Sequence, residues 1–287
     1  MFKKLIEILK RLFFVSTEPE VEPSNSGETI DIEESVDSGQ TESAVTVIDI
    51  SEPEDEPENI ESGFVSDFVI LIDCGHGNNT AGKRSPYSAN NIKPEIEFFE
   101  YKWNREIGKQ IVNELVELGY DARLLVTEDI DISLTERCKR ANNVCRTEGK
   151  DNVLLVSVHS NAAGNGSKWM TARGWEAFTT KGKTKSDTLA DFLYDEAEKN
   201  FSGLTIRKET SDGDRDWEAN FTIIYKTLCP AVLTENFFYD NIDDVKYILS
   251  EEGRKAVIKT HVDGIINFIK NEEDERHKQG YYKTGRC

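Results

Sequence analysis

The sequence predicts an α/β fold: a single domain with a mostly parallel central sheet and helices on both faces. Three features carry this reading. Near-continuous apolar runs occur at Phe68-Val-Ile-Leu-Ile72, Val153-Leu-Leu-Val-Ser-Val158 and Ala231-Val-Leu233. Strands buried on both faces read this way, whereas a half-solvated antiparallel sheet alternates. Stretches with helical periodicity separate these runs, and strand–helix alternation builds a layered α/β domain.

Taken in order, strands are expected at 66–73, 121–126, 152–159, 173–180, 221–227 and 231–237. A helix over 97–118 places Ile107, Ile111, Leu115 and Leu118 on one face, and Gly119 ends it. The next opens with Ser133 and Glu136 at capping-box spacing. A third covers 186–200. A fourth, 250–270, carries Ile258, Val262, Ile265 and Ile269 on one stripe. The charged tail 271–287 is expected to be loose, which leaves 64–270 as the folded domain.

The segment before it differs in kind. Of 287 residues with net charge −19, residues 16–63 hold sixteen Asp or Glu and no Lys or Arg. With +3 on residues 1–15, only −6 remains for 64–287. A Glu-, Pro- and Ser-rich stretch cannot bury enough apolar area to offset its ordering entropy, so 16–63 reads as a disordered acidic tether. The mildly acidic remainder offers no basic face for nucleic acid. Residues 1–15 place Phe2, Leu5, Ile6, Leu9, Leu12 and Phe13 opposite Lys3, Lys4, Lys10 and Arg11. That is a short basic amphipathic helix suited to a membrane surface or a protein partner. A helix docked on its own domain and an atypical export signal are the rival readings; charges interrupt the apolar core and no cleavage site follows, so a clear signal peptide is not evident. No run of 18 apolar residues is present.

Five cysteines, at 74, 138, 145, 229 and 287, lack metal-binding spacing. Cys138 and Cys145 lie about 10 Å apart along a helix, too far to bridge. Free thiols made in a reducing compartment are expected.

The chemistry gathers where the apolar runs end. His76 follows the first, in Asp73-Cys-Gly-His-Gly77, and His159 follows the second. Two of only four histidines thus end buried strands, where α/β sheets collect their ligands. Glu100 stands near the start of the first long helix, with Glu95 and Glu97 as nearby rivals, and Glu235 ends the last strand. Two imidazoles and a carboxylate hold a catalytic zinc with an open position, and a second carboxylate supplies a base. Each residue alone also has a plainer use as a strand-end or helix-start polar group.

Five stretches in this order resemble a known family: Ile70-Leu-Ile-Asp-Cys-Gly-His-Gly, Glu100-x-x-x-Asn104, Leu134-x-x-Arg137-x-x-x-Ala-Asn142, Ser157-Val-His-Ser-Asn161-Ala and Pro230-Ala-Val-Leu-Thr-Glu235-Asn-Phe-Phe. The chain is similar over about 66–270 to the zinc-dependent N-acetylmuramoyl-L-alanine amidases of the amidase_3 type. The resemblance implies Zn2+ on His76, Glu100 and His159, with Glu235 as catalytic glutamate. It implies peptidoglycan as substrate, cut between N-acetylmuramic acid and L-alanine at the bacterial cell wall. Asn78-Asn-Thr-Ala-Gly-Lys-Arg-Ser-Pro86 departs from the family's usual glycine-rich turn, and Asn236 stands where many members have glycine. A phage-type lysin fits the missing export signal. A zinc carboxypeptidase or other amidohydrolase, and an inactive wall-binding module, are the alternatives. Trp169, Trp175 and Trp217 lie in polar loops, where they either line a glycan cleft or pad the sheet.

Overall fold

The computed structural model describes residues 63–87 and 96–280. The expected basic helix and nearly all of the acidic tether lie outside the described residues. Among those described, six strands form one sheet in the order β2-β1-β3-β6-β4-β5. They are β1 (Val69–Cys74), β2 (Asp121–Leu124), β3 (Val153–Asn161), β4 (Trp175–Thr179), β5 (Trp217–Glu218) and β6 (Ala231–Phe238). β2, β1, β3 and β6 run parallel, β4 lies antiparallel to β6, and β5 follows β4 in parallel. The helices are α1 (Glu100–Glu117), α2 (Leu134–Glu148), α3 (Lys185–Asn200), α4 (Thr222–Tyr225), α5 (Ile242–Leu249) and α6 (Glu251–Lys278).

Strand alternation divides the apolar side chains between two cores. Ile70, Ile72, Leu154, Val156 and Val232 face the layer of α1, α3, α5 and α6. Val69, Leu71, Val153, Leu155 and Leu233 face α2 and α4. The stripes expected on two helices are buried here: Ile107, Ile111 and Leu115 of α1, and Ile258, Val262, Ile265 and Ile269 of α6. Leu118 departs from its stripe; it is the C-cap of α1 and half exposed. Ser133 caps α2 by accepting from the Glu136 amide at 3.2 Å. The four described cysteines are buried and form no disulfide.

Two expectations need correction. Residues 221–227 form a single helical turn, α4, and not a strand. Ile223 and Ile224 are consecutive yet both pack into the same core, which a strand's alternation forbids. The edge strand is instead β5, four residues earlier. The charged C-terminus is not loose from 271: α6 continues to Lys278 because its charges find partners. Lys185 donates to Glu272 at 2.6 Å, Ser66 to Glu273 at 2.6 Å, and Arg276 to Asn152 at 2.8 Å while covering the Phe68 ring. α5 was not foreseen, although Asn241 caps it on the amides of Asp243 and Asp244.

Candidate metal centre

The carboxyl ends of β1, β3 and β6 meet the first turn of α1, and there four side chains converge. β1 ends at Cys74, and the chain turns sharply so that His76 takes a left-handed conformation, φ 61°. That conformation is uncommon for a residue with a Cβ and costs on the order of 1–2 kcal/mol. Arg137, buried in α2, holds the turn. Its Nε donates to Ile132 O at 2.8 Å, Nη1 to Asp73 Oδ1 at 2.6 Å and Cys74 O at 2.7 Å, and Nη2 to His76 O at 3.2 Å and Asp131 Oδ1 at 3.0 Å. All five guanidinium hydrogens are thereby used. Asn104 adds a hydrogen bond to Gly75 O at 3.2 Å.

Gly75 and Gly77 are small for steric reasons. A Cβ at Gly75 would stand 2.2 Å from Cε1 of His159, and one at Gly77 would stand 2.0 Å from the Asp131 amide nitrogen. The His76 and His159 rings meet edge to face, with centroids 5.0 Å apart. Glu100 lies between them at the start of α1, where the helix dipole favours a carboxylate. Its Oε1 is 3.1 Å from His159 Nδ1 and 3.4 Å from His76 Nε2, and it accepts from the Ser160 amide at 3.2 Å. Burial opposes ionisation of Glu100, but His159 and His76 outweigh it and hold the carboxyl well below the usual range. Glu97, one of its rivals, accepts instead from the Tyr87 hydroxyl at 2.7 Å; Glu95 lies outside the described residues.

His76, Glu100 and His159 each bring one ligand atom to within 4.8 Å of the others, a donor set that fits a divalent ion such as zinc. Glu100 Oε2 supports that fit: it is buried and has no hydrogen-bond partner among the described residues. Lys83 Nζ lies 3.8 Å from it. Lys83 comes from the loop over 78–86 and places a positive charge beside the cluster.

Glu235 sits across from His159 in the β3–β6 register. Burial, with His159 opposing and Glu100 adding, pushes its carboxyl up to about 8. Its Oε2 is enclosed and has no hydrogen-bond partner among the described residues. Immediately after it the ladder slips between His159 and Asn161, and Phe237 takes φ 66°. Packing against Phe201 and Tyr247 and a hydrogen bond from Ser160 Oγ to Phe237 O, 3.0 Å, hold that conformation. Asn236 occupies the position flagged in the sequence; its Nδ2 donates to His159 O at 2.9 Å and its Oδ1 accepts from Trp175 Nε1 at 2.9 Å.

Sequence reasoning missed Glu176 and Arg207. Glu176, on β4, pairs in register with Glu235, accepts from Asn161 Nδ2 at 2.5 Å and binds Arg207 Nε at 2.7 Å. Neither carries a local signal, because only the antiparallel seating of β4 brings them to β6. Trp175 is fully buried and belongs to the core, not to a glycan cleft. Trp169 packs against the same core from its edge, and Trp217 lies near Arg207, 5.8 Å from its guanidinium.

A buried carboxylate between two imidazoles, with a second carboxylate one strand away, defines a class: α/β proteins with a candidate metal centre at the carboxyl edge of a mostly parallel sheet. The family follows from comparison. Residues 70–267 match the N-acetylmuramoyl-L-alanine amidase model Amidase_3, and the chain belongs to that family of peptidoglycan amidases. Over 208 residues it is 28% identical to the endolysin of Bacillus phage SPP1, covering 70% of this chain and 66% of that protein. It is equally similar to the N-acetylmuramoyl-L-alanine amidase CwlM of Bacillus licheniformis, covering 70% of each chain. The chain therefore spans about two thirds of the length of these relatives. The N-acetylmuramoyl-L-alanine amidase of Clostridium difficile 630 superposes with TM-score 0.56 at 25% identity, over 71% of this chain and 97% of that one. Ami1 of Mycobacterium smegmatis, at TM-score 0.57 and 17% identity over 72% and 99%, shares the fold.

Proposed function

We propose that the protein is a zinc-dependent N-acetylmuramoyl-L-alanine amidase that frees stem peptides from glycan strands by cutting the lactyl–L-alanine amide. The observation that carries this reading is the convergence of His76, Glu100 and His159 on one point, with Glu100 Oε2 left without a hydrogen bond. Zn2+ held by these three residues would polarise the scissile carbonyl and lower the pKa of water toward about 7. Glu235, beside His159 but outside the trio, takes the proton of the attacking water and returns it to the leaving amine. Burial raises its affinity for a proton, which favours uptake from the water. Asn236 and Ser160 keep the strand end rigid, and Arg137 fixes the turn that aims His76.

Kinship with a phage endolysin supports a lysin that acts at the cell wall. Among the described residues no helix is long and apolar enough to cross a membrane. Residues 1–15 and 16–63 would then be a basic helix and an acidic tether that deliver a catalytic domain. The test is mass analysis of products from intact sacculi. New L-alanine amino termini that vanish with a chelator and return with zinc are expected. Release of a carboxyl-terminal residue instead would make the enzyme a carboxypeptidase, and zinc binding without products would make the domain a wall-binding module.

A further inference from the structure

One group of acidic side chains lies apart from this centre, toward the other end of β4. Asp187 from the first turn of α3, and Asp214 and Asp216 from the loop before β5, each bring a carboxylate oxygen to within 4.8 Å of the others. Asp216 is 1% exposed, and its Oδ1 has no hydrogen-bond partner among the described residues; the same holds for the enclosed Oδ1 of Asp214. Thr179, the last residue of β4, points its hydroxyl into the cluster, 2.6 Å from Asp216 Oδ2, 2.9 Å from Asp187 Oδ1 and 3.3 Å from Thr180 O. One hydroxyl proton serves only one of these acceptors. Arg215, in the same loop, is engaged elsewhere, on Asp191, Asp195 and Glu198. A buried carboxylate without a cation is strongly disfavoured, and among the described residues no Lys or Arg pairs with Asp187, Asp214 or Asp216.

The donors are all oxygens, which suits a hard cation and not zinc. Asp214 and Asp216 stand at alternate positions of one loop, which brings both carboxylates to the same point. Calcium also accepts irregular coordination that magnesium resists. We propose that Asp187, Asp214 and Asp216, with the Thr179 hydroxyl, form a calcium site separate from the His76–Glu100–His159 centre. Thr179 lies three residues along β4 from Glu176, about 10 Å at the rise of a strand. The ion would tie the 207–217 loop to β4 and α3. At its start that loop carries Arg207, which holds Glu176 against the strand bearing Glu235. Calcium would therefore order this side of the groove without touching the reacting atoms.

The experiment uses full-length protein freed of metal and reloaded with one equivalent of zinc. Ca2+ is titrated while thermal midpoint is recorded, and Tb3+ luminescence sensitised by the adjacent Trp217 reports occupancy. A saturable response is expected, with the midpoint rising about 5 °C or more at a hundredfold excess over Kd. Ca2+ should displace Tb3+, and Asp216→Asn and Asp214→Asn should each weaken binding at least tenfold while zinc content is unchanged. Asp214 stands in a surface loop, so its variant reports even if Asp216→Asn fails to fold. A wild-type protein indifferent to millimolar Ca2+ would overturn the proposal, as would an undiminished response in both variants. An unresponsive wild type that Asp216→Asn stabilises would also overturn it, by assigning the cluster a shared proton.

Discussion

Replacing Gly75 with alanine should disable the centre while leaving the fold in place. The backbone at Gly75 is not left-handed, so a methyl group brings no conformational strain there. Its Cβ would lie 2.2 Å from Cε1, 2.4 Å from Nδ1 and 2.6 Å from Nε2 of His159. Carbon atoms pack at about 3.5 Å, so the ring must retreat by about 1.3 Å. Metal–ligand distances tolerate only about 0.2 Å. A retreat several times larger removes His159 as a ligand and should lower zinc affinity at least about 10²-fold, or about 2.7 kcal/mol. Gly203→Ala is the control. Its φ is +82° but nothing lies within 4 Å of a Cβ there, so it should lose about 1 kcal/mol of stability and keep full zinc. Zinc content after dialysis against a competing chelator, with a urea melt of each protein, separates the two effects. Full zinc retention and normal sacculus cleavage by Gly75→Ala would refute the placement of His159.

Glu235→Gln should keep one zinc per chain while L-alanine release falls by about 10² to 10⁴, because the amide cannot accept a proton; loss of metal would instead mark Glu235 as a ligand. Burial lowers the pKa of His261 from 6.5 to about 4, while its ring hydrogen-bonds Val257 O at 2.7 Å and Thr234 Oγ at 2.9 Å. The unfolded chain then binds the extra proton first, so this stabilisation is complete above pH 6.5 and about 3 kcal/mol is lost as pH falls to 4. Urea midpoints across that range should show the slope, and His261→Gln should flatten it. Deleting residues 1–63 should leave zinc content and cleavage near normal but abolish any binding to anionic vesicles; an unfolded product would place the domain boundary earlier.

Most of the candidate site was legible because a parallel sheet makes its buried strands continuous and so exposes what ends them: His76, His159 and Glu235 each follow an apolar run. Glu100 was less legible, since Glu95 and Glu97 share its stretch and only its spacing to Asn104 singled it out. The roles of Arg137, Glu176 and Arg207 depend on partners 64, 59 and 31 positions away, respectively Asp73, Glu235 and Glu176, and no spacing rule spans those gaps. The turn at Thr222–Tyr225 read as a strand because Thr-Ile-Ile-Tyr carries strand-forming residues; its two isoleucines share one core only after β3 and β6 have assembled. The last turns of α6 read as loose because charge was taken for solvation, whereas Glu272, Glu273 and Arg276 each have a fixed partner.

The position of β6 has a consequence for biosynthesis. It lies between β3 and β4 in the sheet, yet it is the last strand to leave the ribosome. Until residue 238 has emerged, β3 and β4 have no common neighbour, and each presents an unpaired edge open to aberrant pairing. All three candidate ligands are translated before this point, but Glu235 arrives with β6 itself. A chain terminated before β6 would carry the candidate ligands and lack Glu235. The proposed proton acceptor is thereby withheld until β6 is complete.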